Sequence, residues 1–414
     1  MQNNADIIII GAGAAGMMAA LTAARRGRSV LLLEKMDQAG RKLRLTGKGR
    51  CNLTNTATLK DFITHVGSDG RFMRNAFSQF FNQELMDLIE SLGVPLIVER
   101  GCRVFPQSGK SLDIFLALIT ALEQHPLVTI RKNTAVRSLV IEEGHAVGVK
   151  LQNGENLRAE SILISTGGLS YPTTGSTGAG YILASEVGHT VIPQVPSLVP
   201  LICQESVPED LENFTLRNVS LLITEPSGKK ICEHFGEMTF TSDGISGPIV
   251  LSTSRILSRR LNQGEQFIAH IDLKPAVERN QLDKRLISDL NANGTRVFND
   301  ALRLWLPAEM IPLALQTLHI EYYKRLNQIN GEERRRLLSF LKDLRFTLVA
   351  TRTYNEAIIT QGGVSLKEVN PKTMESKLVP GLYFAGEVLD LDADTGGYNL
   401  QIAFSTAHAA GMVM

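Results

Sequence analysis

Three glycines near the start of the chain have the spacing of a phosphate-binding turn. Gly11, Gly13 and Gly16 follow the apolar run 6–10 and precede a segment of helix-forming composition, 17–26. In such a turn the first glycine permits the tight bend, the second lets a pyrophosphate approach the backbone, and the third lets helix and strand pack closely. Free N–H groups at the helix start then bind the anion. We therefore predict dinucleotide contacts at Gly11, Gly13, Ala14, Ala15 and Gly16.

A carboxylate stands where the ribose of an adenosine needs one. The second apolar run, 29–33, ends in Glu34, which lies 18 residues beyond Gly16. At the tip of a second strand, this side chain would accept hydrogen bonds from ribose hydroxyls. Strand, turn, helix and acid together predict a dinucleotide site that also includes Lys35, with Val136 against the adenine. The alternative is a Rossmann-type unit without a ligand.

The C-terminal part of the chain indicates which dinucleotide is bound. Segment 381–387 predicts a buried strand that runs into a turn with a glycine and an acid, and a final helix opens at 396–401 and extends to Gly411. Two-part FAD sites use such a strand for the ribityl chain, and the next helix N-terminus faces the flavin, where it stabilises negative charge. The alternative is that both elements only complete the sheet. We predict FAD, with contacts at Gly386, Glu387, Gly397, Tyr398, Asn399, Leu400 and Gln401.

A loop between these two parts is rich in glycines and cations. In segment 46–55 the backbone can fold tightly beside Lys48 and Arg50, which suits a pyrophosphate or an electron-rich flavin edge. The preceding cations Arg41 and Lys42 are phosphate partners or a solvated basic face. A later strand, 161–166, is expected to bring the chain back over the adenosine. The predicted contacts here are Arg41, Lys42, Thr46, Gly47, Gly49, Arg50, Cys51, Asn52, Thr166, Gly167 and Gly168.

Two side chains could exchange a proton with a substrate. Cys51 lies beside Lys48 and Arg50, whose charges could lower the pKa of its thiol. A plain buried cysteine is the alternative. Tyr171 precedes the hydroxyl-rich loop 173–177, which could bind substrate or be a rigid turn satisfied by its own hydrogen bonds. We therefore name Cys51 and Tyr171 as the candidate catalytic residues.

Four groups of longer motifs lie at 40–55, 166–178, 236–248 and 386–392. Together they resemble the BaiN/RdsA-type NAD(P)/FAD-dependent flavoproteins, the YhiN and YtfP group. Their order along the chain also matches that family. One departure is Ala179-Gly180, where an acidic residue is expected after Gly178.

The resemblance implies an α/β fold in which a Rossmann-like two-part FAD-binding domain is interrupted by an inserted β-barrel plus helical domain. The prolines at 193, 196 and 200 mark a change of pattern, which is β-like to about 273 and then helical to about 344. Strand character is expected to return over 354–360. The predicted domains are 1–192 with 356–414 for FAD, 193–274 with 345–355 for the barrel-like insert, and 275–344 for the helical insert.

Composition excludes several classes of protein. The 43 Lys plus Arg residues nearly balance the 42 Asp plus Glu, so neither a strongly basic DNA binder nor an acidic disordered protein is indicated. The uncharged stretches 7–24 and 161–185 contain glycines, or glycines and prolines, at positions that favour buried strands and turns over membrane spans. Four cysteines without a CxxC pair favour a reducing compartment and no metal site. We expect a cytoplasmic protein that binds neither DNA nor a membrane.

These features predict an FAD-dependent oxidoreductase. No second strand-GxGxxG-helix unit appears between 60 and 380, so either NAD(P)H docks transiently as electron donor or the electrons come from another source. The resemblance implies reduction of an activated C=C bond, either in a small steroid-like acid or in a uridine of 23S ribosomal RNA. The segment 251–345 has 16 Lys plus Arg against 11 Asp plus Glu, which favours RNA, although such a surface can simply be solvated. An amine oxidase and a non-catalytic flavin-binding protein are the remaining alternatives.

Overall fold

The chain folds as two units, with the second inserted in the sequence of the first. The computed structural model describes residues 5–67 and 70–414. Unit 1 comprises Met1–Pro196 and Tyr354–Met414, and unit 2 comprises Ser197–Thr353. Within the described residues, no helix has the length and apolar character needed to cross a membrane.

Strands and helices are interspersed along the chain in both units. In chain order the strands are β1 (Ile7–Ile10), β2 (Val30–Leu33), β3 (Thr54–Asn55), β4 (Leu96–Glu99), β5 (Arg103–Pro106), β6 (Val128–Arg131), β7 (Val136–Glu142), β8 (His145–Leu151), β9 (Asn156–Arg158), β10 (Ser161–Ile164), β11 (Val191–Ser197), β12 (Leu201–Cys203), β13 (Thr215–Thr224), β14 (Lys230–Thr241), β15 (Gly244–Ser246), β16 (Phe267–Asp272), β17 (Leu344–Thr351), β18 (Ile359–Val364) and β19 (Leu382–Phe384). The helices are α1 (Ala14–Arg25), α2 (Arg41–Leu45), α3 (Leu59–His65), α4 (Arg74–Gln79), α5 (Asn82–Ser91), α6 (Ser111–Glu123), α7 (Ala179–Glu186), α8 (Pro248–Asn262), α9 (Arg279–Ala292), α10 (Phe298–Ala301), α11 (Ile311–Leu318), α12 (Gly331–Lys342) and α13 (Tyr398–Gly411).

A parallel sheet forms the centre of unit 1. Its strand order is β19-β10-β1-β2-β6, and every residue of β1, β2 and β10 is buried. β1 pairs with β2 on one side and with β10 on the other. Because the chain leaves β1 toward one neighbour and returns later on the opposite side, the carboxyl end of β1 is a switch point, where open α/β sheets bind ligands. The predicted Rossmann-like class is confirmed.

The first and last helices of unit 1 pack against each other. Gly411 permits this contact, because a Cβ there would lie 2.8 Å from the Cβ of Thr22. The guanidinium of Arg26 also donates to the carbonyl oxygens of Gly411 and Met414, at 3.0 and 3.1 Å. The C-terminal helix therefore lies beside the helix that follows the glycine turn.

Unit 2 contains a closed barrel and the predicted helical segment. The barrel order is β12-β15-β14-β13-β16-β17, and Phe240, Phe267 and Phe346 fill its core. Two local predictions were wrong. The segment predicted to be β-like includes the helix α8, whose Ser and Thr residues gave a weak helix signal. The strand expected over 354–360 instead begins at Ile359 and continues through two glycines to Val364.

Candidate functional site

The glycine turn between β1 and α1 has the geometry of an anion cradle. Gly11 has a φ of +101°, and a Cβ on Gly16 would lie 1.9 Å from the carbonyl oxygen of Gly11, so only glycine fits there. A Cβ on Gly13, in contrast, would meet nothing within 4 Å. No described side chain caps α1, whose first residues are Ala14 and Ala15. The open space beside Gly13 and the uncapped N–H groups fit a pyrophosphate.

Glu34 lies at the end of β2 and faces this turn. Its two carboxylate oxygens accept from the backbone N–H groups of Ala12 (3.0 Å) and Met36 (2.9 Å). Each oxygen keeps a free acceptor position, which fits a ribose hydroxyl. The neighbouring Lys35 donates to the hydroxyl of Thr177 at 2.6 Å, and burial lowers its pKa.

The remaining adenosine-side residues lie on β7 and after β10. Val136 is the first residue of β7 and is partly buried. After β10, Gly167 has a φ of +72°, and the hydroxyl of Thr166 is buried with no hydrogen-bond partner among the described residues. A Cβ on Gly180 would lie 2.2 Å from that hydroxyl. The unusual glycine at position 180 is thus required by the packing of Thr166.

An ion pair joins the two sequence-distant parts of unit 1. Lys42 on α2 donates to Glu387 and to the hydroxyl of Ser170, each at 2.5 Å, and Ser170 donates to the other oxygen of Glu387 at 2.8 Å. Gly386, just before the acid, has a φ of +76°. Lys42, predicted to be a phosphate partner or part of a solvated basic face, and Glu387, predicted to contact the cofactor, contact each other here, and their cofactor contacts stay predictions. Their functional groups therefore form one polar cluster at this sheet edge.

Sequence reasoning missed a residue that organises this cluster. The Thr360 hydroxyl accepts from the N–H groups of Leu169 (2.8 Å) and Ser170 (3.1 Å), while its own N–H donates to Glu387 (2.8 Å). Thr360 is fully buried. A Cβ on Gly168 would lie 2.4 Å from the Thr360 hydroxyl, so this glycine is needed for the close contact. The signal that was available is the position of Thr360 just before the two glycines of β18.

The glycine-rich loop after α2 adopts a tightly folded backbone. Gly47, Lys48, Gly49 and Cys51 all have positive φ values, between +54° and +85°. The loop is closed at its base by a hydrogen bond from the N–H of Cys51 to the carbonyl of Thr46, at 2.9 Å. Successive left-handed residues turn backbone N–H groups toward a common side, as in anion-binding loops.

The loop side chains at 50 and 52 contact protein groups. The guanidinium of Arg50 pairs with Glu99 at 2.5 Å and lies over the ring of Phe105 at 4.4 Å. A nearby carboxylate and an aromatic face thus hold the charge of Arg50, and its predicted contact with the cofactor stays a prediction. The Asn52 amide, in the orientation that satisfies both groups, accepts from the N–H of Gly397 at 3.1 Å. Asn52 thus anchors the loop to the start of α13.

The first turn of α13 approaches this loop closely. Gly397 has a φ of +97°, and a Cβ there would lie 2.3 Å from the carbonyl oxygen of Thr54. The side chain of Asn399 bonds both backbone groups of Ala393 at 2.9 Å, and Leu400 is partly buried. Gln401 is fully buried and accepts from the Thr54 hydroxyl at 2.6 Å. The side-chain amide of Gln401 is thus used in the interior, and the predicted flavin contact at this helix start stays a prediction.

An imidazole beside Tyr398 is a second residue that sequence reasoning missed. His65 stacks on the Tyr398 ring with centroids 4.5 Å apart, and its Nδ1 lies 2.9 Å from a carboxylate oxygen of Asp394. Burial, with the charge of Asp394, raises the pKa of Tyr398 to about 12. A lone histidine in segment 59–65 gave no pattern that would have identified it.

The two candidate proton donors have different environments. Cys51 is fully buried, and burial raises the pKa of its thiol to about 12, so the predicted lowering by Lys48 and Arg50 is wrong. Tyr171 is half-buried; burial and the charge of Glu356 raise its pKa and keep the phenol protonated. Of the two, Tyr171 is the side chain that a substrate can reach. Among the described residues no group of three or more His, Cys, Asp or Glu could hold a metal ion.

Comparison with known proteins identifies relatives over nearly the whole chain. The family described as HI0933-like protein Rossmann domain matches residues 5–413. A ribosomal RNA dihydrouridine synthase of Escherichia coli is 33% identical over 405 residues, which cover 98% of this chain and 96% of that protein. A 3-dehydro-bile acid delta(4,6)-reductase of Clostridium scindens is 32% identical over 407 residues, which cover 97% of each chain.

A solved structure shows the same fold at low sequence identity. The 3-ketosteroid delta1-dehydrogenase of Sterolibacterium denitrificans, in complex with 1,4-androstadiene-3,17-dione, superposes with a TM-score of 0.51 and covers 99% of each chain at 13% identity. At that identity the likeness establishes the fold alone.

Proposed function

Because this chain belongs to the HI0933-like Rossmann-domain family and is an FAD-dependent oxidoreductase, we propose that it reduces uridine to dihydrouridine in 23S ribosomal RNA, with NAD(P)H as the electron donor. The observation that carries the proposal is the open, uncapped cradle at Gly13 in a chain whose full-length relatives in two organisms are named ribosomal RNA dihydrouridine synthases. The relatives support a reductive reaction on a C=C bond of the base.

The residues around the switch point fit FAD in its two-part mode. Gly13 and Glu34 suit the pyrophosphate and the ribose, and the start of α13 after Gly397 suits the flavin end. Bound FAD would supply hydride transfer, and reduction of a C=C bond needs one hydride together with one further proton. Tyr171 is the proposed proton donor, because its phenol is protonated at neutral pH and, unlike the thiol of Cys51, is only partly buried. Cys51 is left as a structural residue.

An exposed aromatic pair in unit 2 favours RNA as the substrate. Tyr323 is 74% and Tyr322 is 44% exposed, with their rings 4.8 Å apart. The exposed Arg325 follows in sequence, and the exposed Arg296 lies beside it, because its carbonyl accepts from the N–H of Leu326. Exposed aromatics beside cations bind unstacked bases and phosphates of single-stranded RNA.

Ion pairs neutralise part of the excess positive charge in the rest of the segment 251–345. Carboxylates hold several of the cations at 2.6–2.9 Å, and these cations are therefore not free for phosphates. The pairs are Arg260–Glu225, Lys324–Glu333, Arg334–Asp283 and Lys342–Asp272. We propose RNA contact at the aromatic pair rather than along the whole basic segment.

A small-molecule ene reductase is the second candidate function. It is favoured by the bile acid reductase of Clostridium scindens, which is as similar to this chain as the RNA-modifying relatives. Both candidates share the flavin site and the C=C reduction, and they differ only in the molecule that carries the double bond.

An anaerobic absorbance titration tests the proposal. The flavin band of the purified holoprotein should bleach with NADH or NADPH and recover when deproteinised 23S ribosomal RNA is added, with dihydrouridine detected in the RNA by mass spectrometry. Recovery only with a steroid-like enone would transfer the assignment to the second candidate. The flavin band of Tyr171→Phe should bleach at the wild-type rate and recover more slowly with RNA. Recovery at the wild-type rate would show that Tyr171 does not donate the proton.

A further inference from the structure

Unit 1 contains a basic pocket on a face of α2, and only Arg41 and Gly49 among its lining residues are predicted FAD contacts. The pocket has a volume of about 530 Å³ and is lined by the cations Arg41, Arg44 and Lys110 and by the hydroxyls of Ser111, Thr173 and Thr174. None of the described residues that line it is acidic. A pocket of this size accommodates a small ligand such as one nucleotide.

The helix α2 separates this pocket from the Lys42–Glu387 cluster. Lys42 reaches Glu387, and Leu43 is buried in the core. Arg41 and Arg44, three residues apart, are neighbours on the helix surface and share the pocket. Gly13, Glu34 and Gly386, which are predicted FAD contacts, do not line the pocket. The pocket therefore adjoins the predicted FAD site and is not its pyrophosphate cradle.

The cations are oriented by groups that leave their charge available. The guanidinium of Arg44 donates to Gln38 at 2.7 Å and lies 5.6 Å over the ring of Phe115, and both partners are uncharged. The partner of Arg41 is Asp37 at 3.5 Å, an exposed pair whose attraction solvent screens. Holding an Arg in place before binding lowers the entropy cost of engaging a phosphate.

The third cation stands at the start of a long helix. Lys110 is the N-cap residue of α6, a helix of 13 residues, and no described side chain caps it. The carboxylate of Asp113 in the first turn accepts from the Ser108 hydroxyl at 2.5 Å. The partial positive charge of the helix start adds to that of the three cations. The hydroxyls of Ser111 and Thr174 already donate to the carbonyl oxygens of Arg44 and Tyr171, so the cations and the helix start are what select an anion with several acceptor oxygens.

We propose that this pocket is a second anion site, which binds a phosphate group of a nucleotide during turnover. This proposal rests on the proposed function, in which two ligands that carry phosphate groups bind the protein: the NAD(P)H donor and the ribosomal RNA. Both present the same chemistry, a phosphate on a ribose.

The test is a charge-matched pair of double variants of the holoprotein. Arg44→Gln/Lys110→Gln removes two pocket cations, and Arg25→Gln/Lys150→Gln removes two exposed cations elsewhere in unit 1. Each protein is measured for flavin absorbance, for the KM of anaerobic flavin reduction by NADPH and by NADH, and for affinity to a single-stranded RNA oligonucleotide over a salt series. None of these readouts requires uridine reduction.

The source of the phosphate follows from which measurement changes. If RNA phosphates bind in the pocket, the pocket variant loses affinity for RNA oligonucleotides of any sequence. The slope of log affinity against log salt concentration then falls in magnitude by about two, one for each cation removed. If the 2′-phosphate of NADPH binds, the KM for NADPH rises about tenfold or more while that for NADH stays constant. Unchanged values for both ligands overturn the site, and so does loss of flavin from the pocket variant alone, which would assign the pocket to FAD. Failure of the wild-type protein to reduce uridine would reject the proposed function and leave these binding results intact.

Discussion

Lys42 and Glu387 are 345 residues apart in sequence, and their charged groups lie 2.5 Å apart. The lysine is 23% and the carboxylate 19% exposed, so solvent screens the pair only partly. One partner belongs to the helix after the first βαβ unit and the other follows the last strand of the sheet. This pair therefore ties the two halves of the dinucleotide domain together.

Removal of one partner of this pair should destabilise unit 1. Lys42→Met leaves the Glu387 carboxylate in a half-buried site with neutral donors only, and we expect the free energy of unfolding to fall by about 2 kcal/mol. Lys42→Met/Glu387→Gln should recover part of this loss, because no uncompensated charge remains. Denaturant unfolding of the two single variants and the double variant measures the coupling. Strictly additive effects would show that the two groups do not interact.

The open space at Gly13 makes a prediction about FAD retention. Gly13→Ala should fold, because the added Cβ meets no protein atom within 4 Å, but it should weaken FAD binding, because that Cβ takes the space in which the pyrophosphate approaches the backbone. Gly13→Glu should weaken FAD binding at least about tenfold, since its carboxylate would face the pyrophosphate in a low-dielectric site. Gly13→Gln separates the effect of charge from that of size. Full visible flavin absorbance in Gly13→Glu after dialysis would refute the position assigned to the cofactor.

The burial of Cys51 predicts its reactivity. With a pKa of about 12 and no exposed surface, about one thiol in ten thousand would be ionised at pH 8. Iodoacetamide should therefore label the exposed Cys102 and leave Cys51 unmodified in the folded protein, as read by peptide mass spectrometry. Cys51→Ser should keep turnover within about twofold, because a thiol that no substrate reaches does not act as an acid. Rapid labelling of Cys51, or a large loss of turnover with FAD retained, would restore its catalytic assignment.

Glu333 gives unit 2 a pH-dependent contribution to stability. Burial favours the neutral acid, but hydrogen bonds from Lys324 and from the N–H of Asn330 outweigh it and lower the pKa of Glu333 below its usual 4.5. Its stabilising effect is therefore complete above pH 4.5 and is lost as pH falls through the lowered value. Glu333→Gln should reduce the free energy of unfolding by about 1–2 kcal/mol at pH 7 and by much less at pH 3. Glu332→Gln, at the exposed neighbouring position, is the control; an equal loss in both variants would contradict the assignment.

Sequence reasoning identified the parts of the site that depend on backbone geometry. Gly11 and Gly16 must be glycines, because a Cβ at either position would lie too close to a main-chain atom. The spacing of these glycines can be recognised in a single sequence. The Lys42–Glu387 pair and the hydrogen bonds of Thr360 join side chains that meet only after folding. No spacing of residues along the sequence therefore reveals these contacts. Arg50 shows the same limit, because its partner Glu99 lies on a separate strand and no local pattern indicates the pair. Contacts between side chains that are distant in sequence thus account for most of the site features that the sequence did not predict.

The exposed aromatic pair of unit 2 provides the most direct test of RNA contact. Tyr323→Ala should weaken binding of a single-stranded RNA oligonucleotide by about 1–3 kcal/mol, because stacking on an aromatic ring contributes about that much per base. Phe235→Ala is the matched control, since Phe235 is 65% exposed on the β14 strand of the same unit and is not part of the proposed contact. Fluorescence anisotropy at several salt concentrations measures both affinities, and flavin absorbance verifies that the holoprotein is intact. An equal effect of the two variants, or none of either, would place the RNA contact elsewhere on the protein.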